Sequence, residues 1–67
     1  MDMLQYFNYA HLPPHLQEVS KPFYDMAYQM VNTLPMCAEL VAGLRKLLEA
    51  KDCAVRAKLY VKPINPA

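Results

Sequence analysis

The side chains with the clearest capacity for binding chemistry lie in the first third of the chain, where aromatic rings precede a lysine. Tyr6, Tyr9 and His11 fall within six residues, and Lys21 follows next to Ser20. Aromatic rings stack on nucleobases, at roughly 1–3 kcal/mol per base. A lysine at a helix start adds its charge to free backbone N–H groups, and both favour phosphate. The pattern is therefore typical of a site for a small nucleotide with few phosphates.

A purely structural role is the alternative explanation for the same residues. Aromatic segments often cover the core of a partner chain, and a surface lysine is ordinarily solvated. We assign Phe7 to packing, whereas Tyr9 and His11 fit either a pocket or an interface.

The residue types needed for catalysis or metal binding are present only in unfavourable arrangements. His11 and His15 are four residues apart, but two prolines between them break the helix that a histidine metal pair requires. Cys37 falls on an apolar helical stripe, where cysteine is usually a small buried hydrophobe. A single glycine excludes a Gly-rich phosphate loop. We expect neither an enzyme nor a bound metal or cofactor.

Composition excludes several further classes of function. The chain has 67 residues, 55% of them hydrophobic, and a net charge of +1. So balanced a charge disfavours binding to duplex DNA or RNA, which needs many phosphate contacts. The apolar runs are too short to span a membrane, and no basic region precedes an apolar stretch as in a signal peptide. Two cysteines are too few for a disulfide scaffold, so we expect a cytoplasmic protein with reduced thiols.

Proline positions and apolar spacing divide the chain into four segments. We predict an extended arm over 1–14, a helix over 20–33, a longer helix over 35–58 and a tail over 59–67. Each helix has apolar residues at the spacing of a single helix face. In the first helix these residues are Phe23, Met26, Ala27, Met30, Val31 and Leu34. In the second they are Cys37, Leu40, Val41, Leu44, Leu47 and Leu48.

Individual residues predict where the first helix starts and which side chains stack along one of its edges. Residues 15–20 are expected to form a short helical turn that Pro13 and Pro14 begin, because proline suits a first turn. The first helix is expected to start after it, with Ser20 as a favourable N-cap residue and Pro22 in the first turn. Tyr24 and Tyr28 are four residues apart and are expected to stack along the helix edge.

Two helices joined by a tight turn predict an all-α fold, a helical hairpin with an extended N-terminal arm. A lone hairpin has one seam for its apolar residues, and Gly43 would permit a close helix crossing in that seam. The remaining apolar surface indicates a homo-oligomer, most simply one with a two-fold axis. Two arms around such an axis would offer two aromatic platforms and two lysines, which matches the symmetry of a cyclic dinucleotide.

Two segments carry a resemblance to a known family. They are HLPPHLQEVSKPF over 11–23 and LRKLLEAKDCAVRA over 44–57, and the similarity extends over most of 6–57. These segments resemble the phage helical-hairpin sponge domain, whose members are anti-CBASS and anti-Thoeris proteins.

The resemblance to the anti-CBASS branch implies a specific function. Such proteins bind cyclic oligonucleotide messengers in the cytoplasm of the infected bacterium and hold them without cleavage, so that the host effector stays inactive. They form compact hexamers, with cyclic dinucleotides between paired protomers and cyclic trinucleotides in separate pockets. An aromatic of the arm stacks on a base and a lysine at the following helix start meets phosphate; Tyr6 and Lys21 match these roles.

Other assignments are less specific. Tyr9 and His11 are candidates for the dinucleotide pocket, whereas Arg56, with Lys58 or Lys62, is a candidate for the trinucleotide pocket on charge and position alone. The alternatives are a sponge for cyclic ADP-ribose signals, which in this family typically has additional structure, and a helical module that binds a host protein. A small DNA-binding protein is disfavoured by the net charge.

Overall fold

The computed structural model describes residues 2–60, and it is all-helical, as the sequence predicts. A 3-10 helix over Asp2–Phe7 precedes two α-helices, α1 over Pro14–Thr33 and α2 over Ala38–Leu59. Helices comprise 81% of these residues, and no strand occurs among them. α1 and α2 pack against each other as a hairpin. None of the helices described is long and apolar enough to cross a membrane.

The N-terminal segment differs from the predicted extended arm, because residues 2–7 are helical. A 3-10 helix has three residues per turn, which places Leu4 and Phe7 on the same side. Leu4 is half-buried and Phe7 is fully buried against α1 and α2. The chain then turns through two backbone hydrogen bonds, from Asn8 N–H to the Gln5 carbonyl at 3.2 Å and from Leu12 N–H to the Tyr9 carbonyl at 3.0 Å. Phe7 is thus a packing residue, and the helices of its own chain bury it without a neighbouring hairpin.

α1 begins at Pro14, six residues before the predicted start at residue 20. Proline suits the first turn of a helix because its missing N–H has no partner there. The Pro13 carbonyl accepts from the N–H groups of Leu16 and Gln17 at 2.9 and 3.0 Å, and the Gln17 side chain donates to the Leu12 carbonyl at 2.7 Å. These bonds make residues 15–20 a continuous part of α1 and not a separate turn.

The prediction of Ser20 as the N-cap is therefore wrong, and Pro22 lies inside the helix. A proline in a helix interior removes one hydrogen bond, here the one to the Glu18 carbonyl, at a cost of about 3 kcal/mol. The helix continues through this position because its packed face runs along both sides of the proline. Leu16 and Ser20 before it, and Ala27 after it, are buried.

α2 starts at Ala38, three residues later than predicted, with Cys37 as its N-cap in extended backbone geometry. Pro35 lies in the connection between the helices and does not open α2. Because Cys37 precedes the helix, it leaves the apolar face and is exposed, so its predicted burial is wrong. At the other end α2 extends to Leu59, one residue past the predicted end.

The buried core is small and joins all three helices. It consists of Phe7, Ala27, Leu40 and Leu44, of which Phe7 is the largest fully buried side chain. The packing at Gly43 does not require a glycine: a Cβ at that position would lie 3.4 Å from the Met30 Cε, which is ordinary van der Waals contact with the end of a flexible side chain. The core therefore depends on one aromatic ring supplied by the N-terminal segment.

Replacement of Phe7 tests this dependence. Phe7→Ala is expected to lower the free energy of unfolding by about 3–5 kcal/mol, because it removes a buried ring and leaves a cavity. Urea denaturation followed by circular dichroism measures the change. Tyr6→Ala, which truncates the adjacent and largely exposed ring, is the control and should change the stability far less. An equal loss in the two variants would contradict the assignment.

Candidate functional site

The first candidate site is a cleft of about 410 Å³ where the N-terminal segment meets both helices; we call it the arm cleft. The N-terminal segment, α1 and α2 all contribute side chains to it. The polar and aromatic residues relevant to binding are Tyr6, His11, Ser20, Lys51, Asp52 and Arg56. The cleft thus combines an aromatic ring, an imidazole and two cations from distant parts of the sequence.

Lys51 attaches the N-terminal segment to α2. Its ammonium donates to the backbone carbonyl of Tyr6 at 2.9 Å and lies 3.3 Å from the Oδ1 of Asp52. The Lys51 side chain is only 14% exposed, whereas Tyr6 is 57% exposed. The lysine therefore fixes the backbone of Tyr6 while the phenol ring stays accessible at the cleft.

Arg56 lies in the same cleft as Tyr6 and His11, although its charge and position suggested a separate pocket. One guanidinium nitrogen donates to the Cys53 Sγ at 3.3 Å, one helical turn earlier. Since a guanidinium has five N–H donors, most of them stay available to an anion. Lys62, the other candidate for a second pocket, lies outside the described residues.

A second cleft, of about 510 Å³, lies next to the first and is lined by Asn8, Tyr9, Ala10, His11 and Tyr24; we call it the tyrosine cleft. Tyr9 and Tyr24 meet edge to face, with ring centroids 5.5 Å apart and an interplanar angle of 70°. The predicted stack of Tyr24 on Tyr28 is confirmed, at 6.1 Å and 17°. His11 lines both clefts, so Tyr6 and Tyr9 belong to adjacent sites that share one histidine.

Lys21 has a different environment from the one predicted. It lies within α1 and not at a helix start, so the free backbone N–H groups expected beside it are absent. It is not among the lining residues of either cleft. Its ammonium donates to the Asp25 carboxylate at 2.8 Å on an exposed surface. That hydrogen bond, together with the charge of Asp25 and a smaller effect of Tyr9, raises the pKa of Lys21 above its ordinary value of 10.5.

Sequence reasoning missed Lys51, although the apolar spacing of α2 contains a signal for it. Leu44, Leu48, Lys51 and Val55 follow one another at intervals of four, three and four residues, which is a single helix face. A lysine that continues a core face must direct its ammonium to a partner. The partner, the Tyr6 carbonyl, lies 45 positions earlier in the chain and only the fold brings it there.

Comparisons with family models, with curated proteins and with solved structures found no match. Among residues 2–60, no three or more His, Cys, Asp and Glu side chains are grouped to hold a metal ion. The clefts, and the residues that line them, are therefore the basis for a functional proposal.

The Lys21–Asp25 pair gives a pH-dependent prediction. Asp25→Asn should lower the pKa of Lys21 toward 10.5, because the acceptor loses its charge. A folded-state pKa above the unfolded value means that the pair stabilises the fold below the unfolded pKa and stops doing so as the pH rises through the folded pKa. The window therefore lies above pH 10.5, and the effect on stability is small because solvent screens both groups.

NMR titration of the Lys21 Cε resonance measures this pKa directly. Glu49→Gln, on the exposed side of α2, removes a carboxylate elsewhere and is the matched control. The same Lys21 pKa in wild type and Asp25→Asn would contradict the pairing.

Proposed function

We propose that this protein is a sponge for cyclic oligonucleotide second messengers, with the arm cleft as its site for cyclic dinucleotides. It holds the messenger without cleaving it, in the cytoplasm of a phage-infected bacterium, and so prevents activation of the CBASS effector. The observation that carries the proposal is the exposed Tyr6 ring beside two cations in one cleft. The family resemblance of 11–23 and 44–57 supplies the class of messenger.

The cleft has the groups that a nucleotide requires. Tyr6 and His11 offer flat faces for a base, while Lys51 and Arg56 offer charged donors for phosphate oxygens. Its volume of about 410 Å³ falls within the range of about 300–1,000 Å³ that is common for ligand pockets. One cleft of this size accommodates part of a cyclic dinucleotide, and two clefts around a symmetry axis would share the whole molecule.

Self-association is part of this proposal and is supported by the apolar surface of the hairpin. Met26, Tyr28, Leu34 and Met36 are large hydrophobic residues that are 47–63% exposed. Burial of such side chains between copies is favourable, and the family resemblance implies a hexamer. We propose that Lys21 reaches the ligand from a neighbouring copy, exchanging its solvent-screened bond with Asp25 for a phosphate. Binding of cyclic trinucleotides at further sites rests on the resemblance.

The mechanism is sequestration by mass action. A sponge must bind tightly and be abundant, so that free messenger stays below the level that activates the effector. Base stacking on a preformed aromatic face and charge-assisted phosphate bonds supply affinity. The Lys51 bond to the Tyr6 carbonyl fixes the ring's backbone beforehand, which reduces the ordering cost on binding.

The same exposed apolar residues favour a second candidate, a helical module that binds a host protein. In that case the surface of Met26, Tyr28, Leu34 and Met36 would contact another protein, and the clefts would have no nucleotide affinity. Titration with cyclic dinucleotides distinguishes the two candidates, because only the sponge binds them.

Truncation of Tyr6 tests the proposed site. Tyr6→Ala should weaken cyclic dinucleotide binding by about tenfold or more, because it removes a stacking face worth roughly 1–3 kcal/mol per base. Isothermal titration calorimetry measures the affinity, and analytical ultracentrifugation checks that the oligomer is intact. Wild-type affinity should also fall as the salt concentration rises, since cations in the cleft contact phosphate.

Lys46→Ala is the matched control, because Lys46 is an exposed cation of α2 that is not among the cleft residues. It should bind as wild type does. Unchanged affinity in Tyr6→Ala would remove the arm cleft from the proposal.

A further inference from the structure

Ser20 is the one buried side chain among the described residues with an unsatisfied polar atom. Its exposure is 0%, it lines the arm cleft, and its Oγ has no hydrogen-bond partner. A serine or threonine in a helix ordinarily donates to the carbonyl four residues earlier, as Thr33 does to Gln29 at 2.7 Å. A buried hydroxyl without a partner costs free energy, which suggests that its partner is a ligand.

The charged neighbours of Ser20 in the cleft indicate the chemistry of that partner. Lys51 and Arg56 each contribute one positive charge and Asp52 one negative charge, which leaves a net charge of +1. The Lys51 ammonium donates one hydrogen bond, to the Tyr6 carbonyl, and forms an ion pair with Asp52, so it keeps donor capacity for an anion. Together with the guanidinium and the hydroxyl, the cleft offers donors from three side chains to a single anion.

From this arrangement we infer that Ser20, Lys51 and Arg56 form a phosphodiester site in the arm cleft. The inference rests on the proposed function and specifies the ligand group that the site takes. A phosphodiester has one negative charge, which the cleft neutralises, whereas a terminal phosphate has about −1.5 to −2 at pH 7 and is left partly uncompensated. The site is thus suited to nucleotides whose phosphates all lie within a chain or ring.

The Ser20 hydroxyl is covered in the free protein, so binding requires a shift at the cleft rim. Tyr6 and His11 are exposed side chains that line the cleft, and a change of their side-chain rotamers leaves the Lys51 bond to the Tyr6 backbone intact. The displacement brings a phosphate oxygen to the hydroxyl, which then donates to it. Ser20 is in this way a specificity residue for an anionic oxygen at the floor of the cleft.

The substitution Ser20→Ala separates this role from a structural one. If the hydroxyl serves only the ligand, the variant should melt at the same temperature as wild type or higher, because a buried unsatisfied group is removed and alanine favours the helix. Its dissociation constant for a cyclic dinucleotide should rise about tenfold or more, as expected for a lost hydrogen bond to a charged group. Thr33→Val, which removes an exposed hydroxyl of α1, is the control and should leave binding unchanged.

Dimethyl phosphate, a singly charged phosphodiester, provides a test that is independent of the nucleotide. In an NMR titration of the wild type it should shift the Ser20 amide and the Arg56 Nε–H resonances, and in Ser20→Ala the Arg56 shift should require a higher concentration. Unmoved resonances in the wild type, or a destabilised Ser20→Ala with normal ligand affinity, would overturn the inference. If dimethyl phosphate binds and cyclic dinucleotides do not, the proposed function fails and the phosphodiester site stands.

Discussion

The burial of Phe7 between the two helices holds the N-terminal segment against the hairpin. A hairpin of this size has a single seam, and its own core residues Ala27, Leu40 and Leu44 surround a ring that belongs to neither helix. Because Phe7 is fully buried, the N-terminal 3-10 helix lies on the hairpin, and the segment that follows it forms a wall of both clefts. The hydrophobic effect at one position therefore creates the concave surface where a ligand can bind.

Two polar side chains, Lys51 and Ser20, line the arm cleft that the burial of Phe7 creates. Lys51 continues the core face of α2, yet its ammonium reaches the Tyr6 carbonyl and so couples the N-terminal segment to the far helix. Ser20 leaves a hydroxyl unsatisfied on the same cleft. Stability alone would favour an apolar residue at Ser20, since a buried polar group is costly without a partner. The presence of this hydroxyl is explained if the cleft is shaped for an anionic ligand.

The sequence predicts the helices better than their ends, for identifiable physical reasons. Apolar spacing indicates both helices, and four-residue spacing indicates the stack of Tyr24 on Tyr28. The predicted start of α1 is wrong because two local segments, Pro13–Pro14 and Ser20–Pro22, are both acceptable helix starts. The helix begins at Pro14 because residues on both sides of Ser20–Pro22 are buried against the rest of the chain. For the site, the aromatic residues are visible in the sequence, whereas the Lys51 contact joins residues 45 positions apart and has no local signal at the Tyr6 carbonyl.

A sponge holds a cyclic dinucleotide and releases it unchanged, whereas an enzyme releases a product. The most direct measurement is to incubate the purified protein with a cyclic dinucleotide, separate the complex from free ligand, denature it by heat and analyse the released nucleotide by chromatography. We expect recovery of the intact cyclic dinucleotide in proportion to the protein. Recovery of a linear or otherwise cleaved product would contradict sequestration and indicate an enzyme, and the absence of any bound nucleotide would contradict the binding site itself.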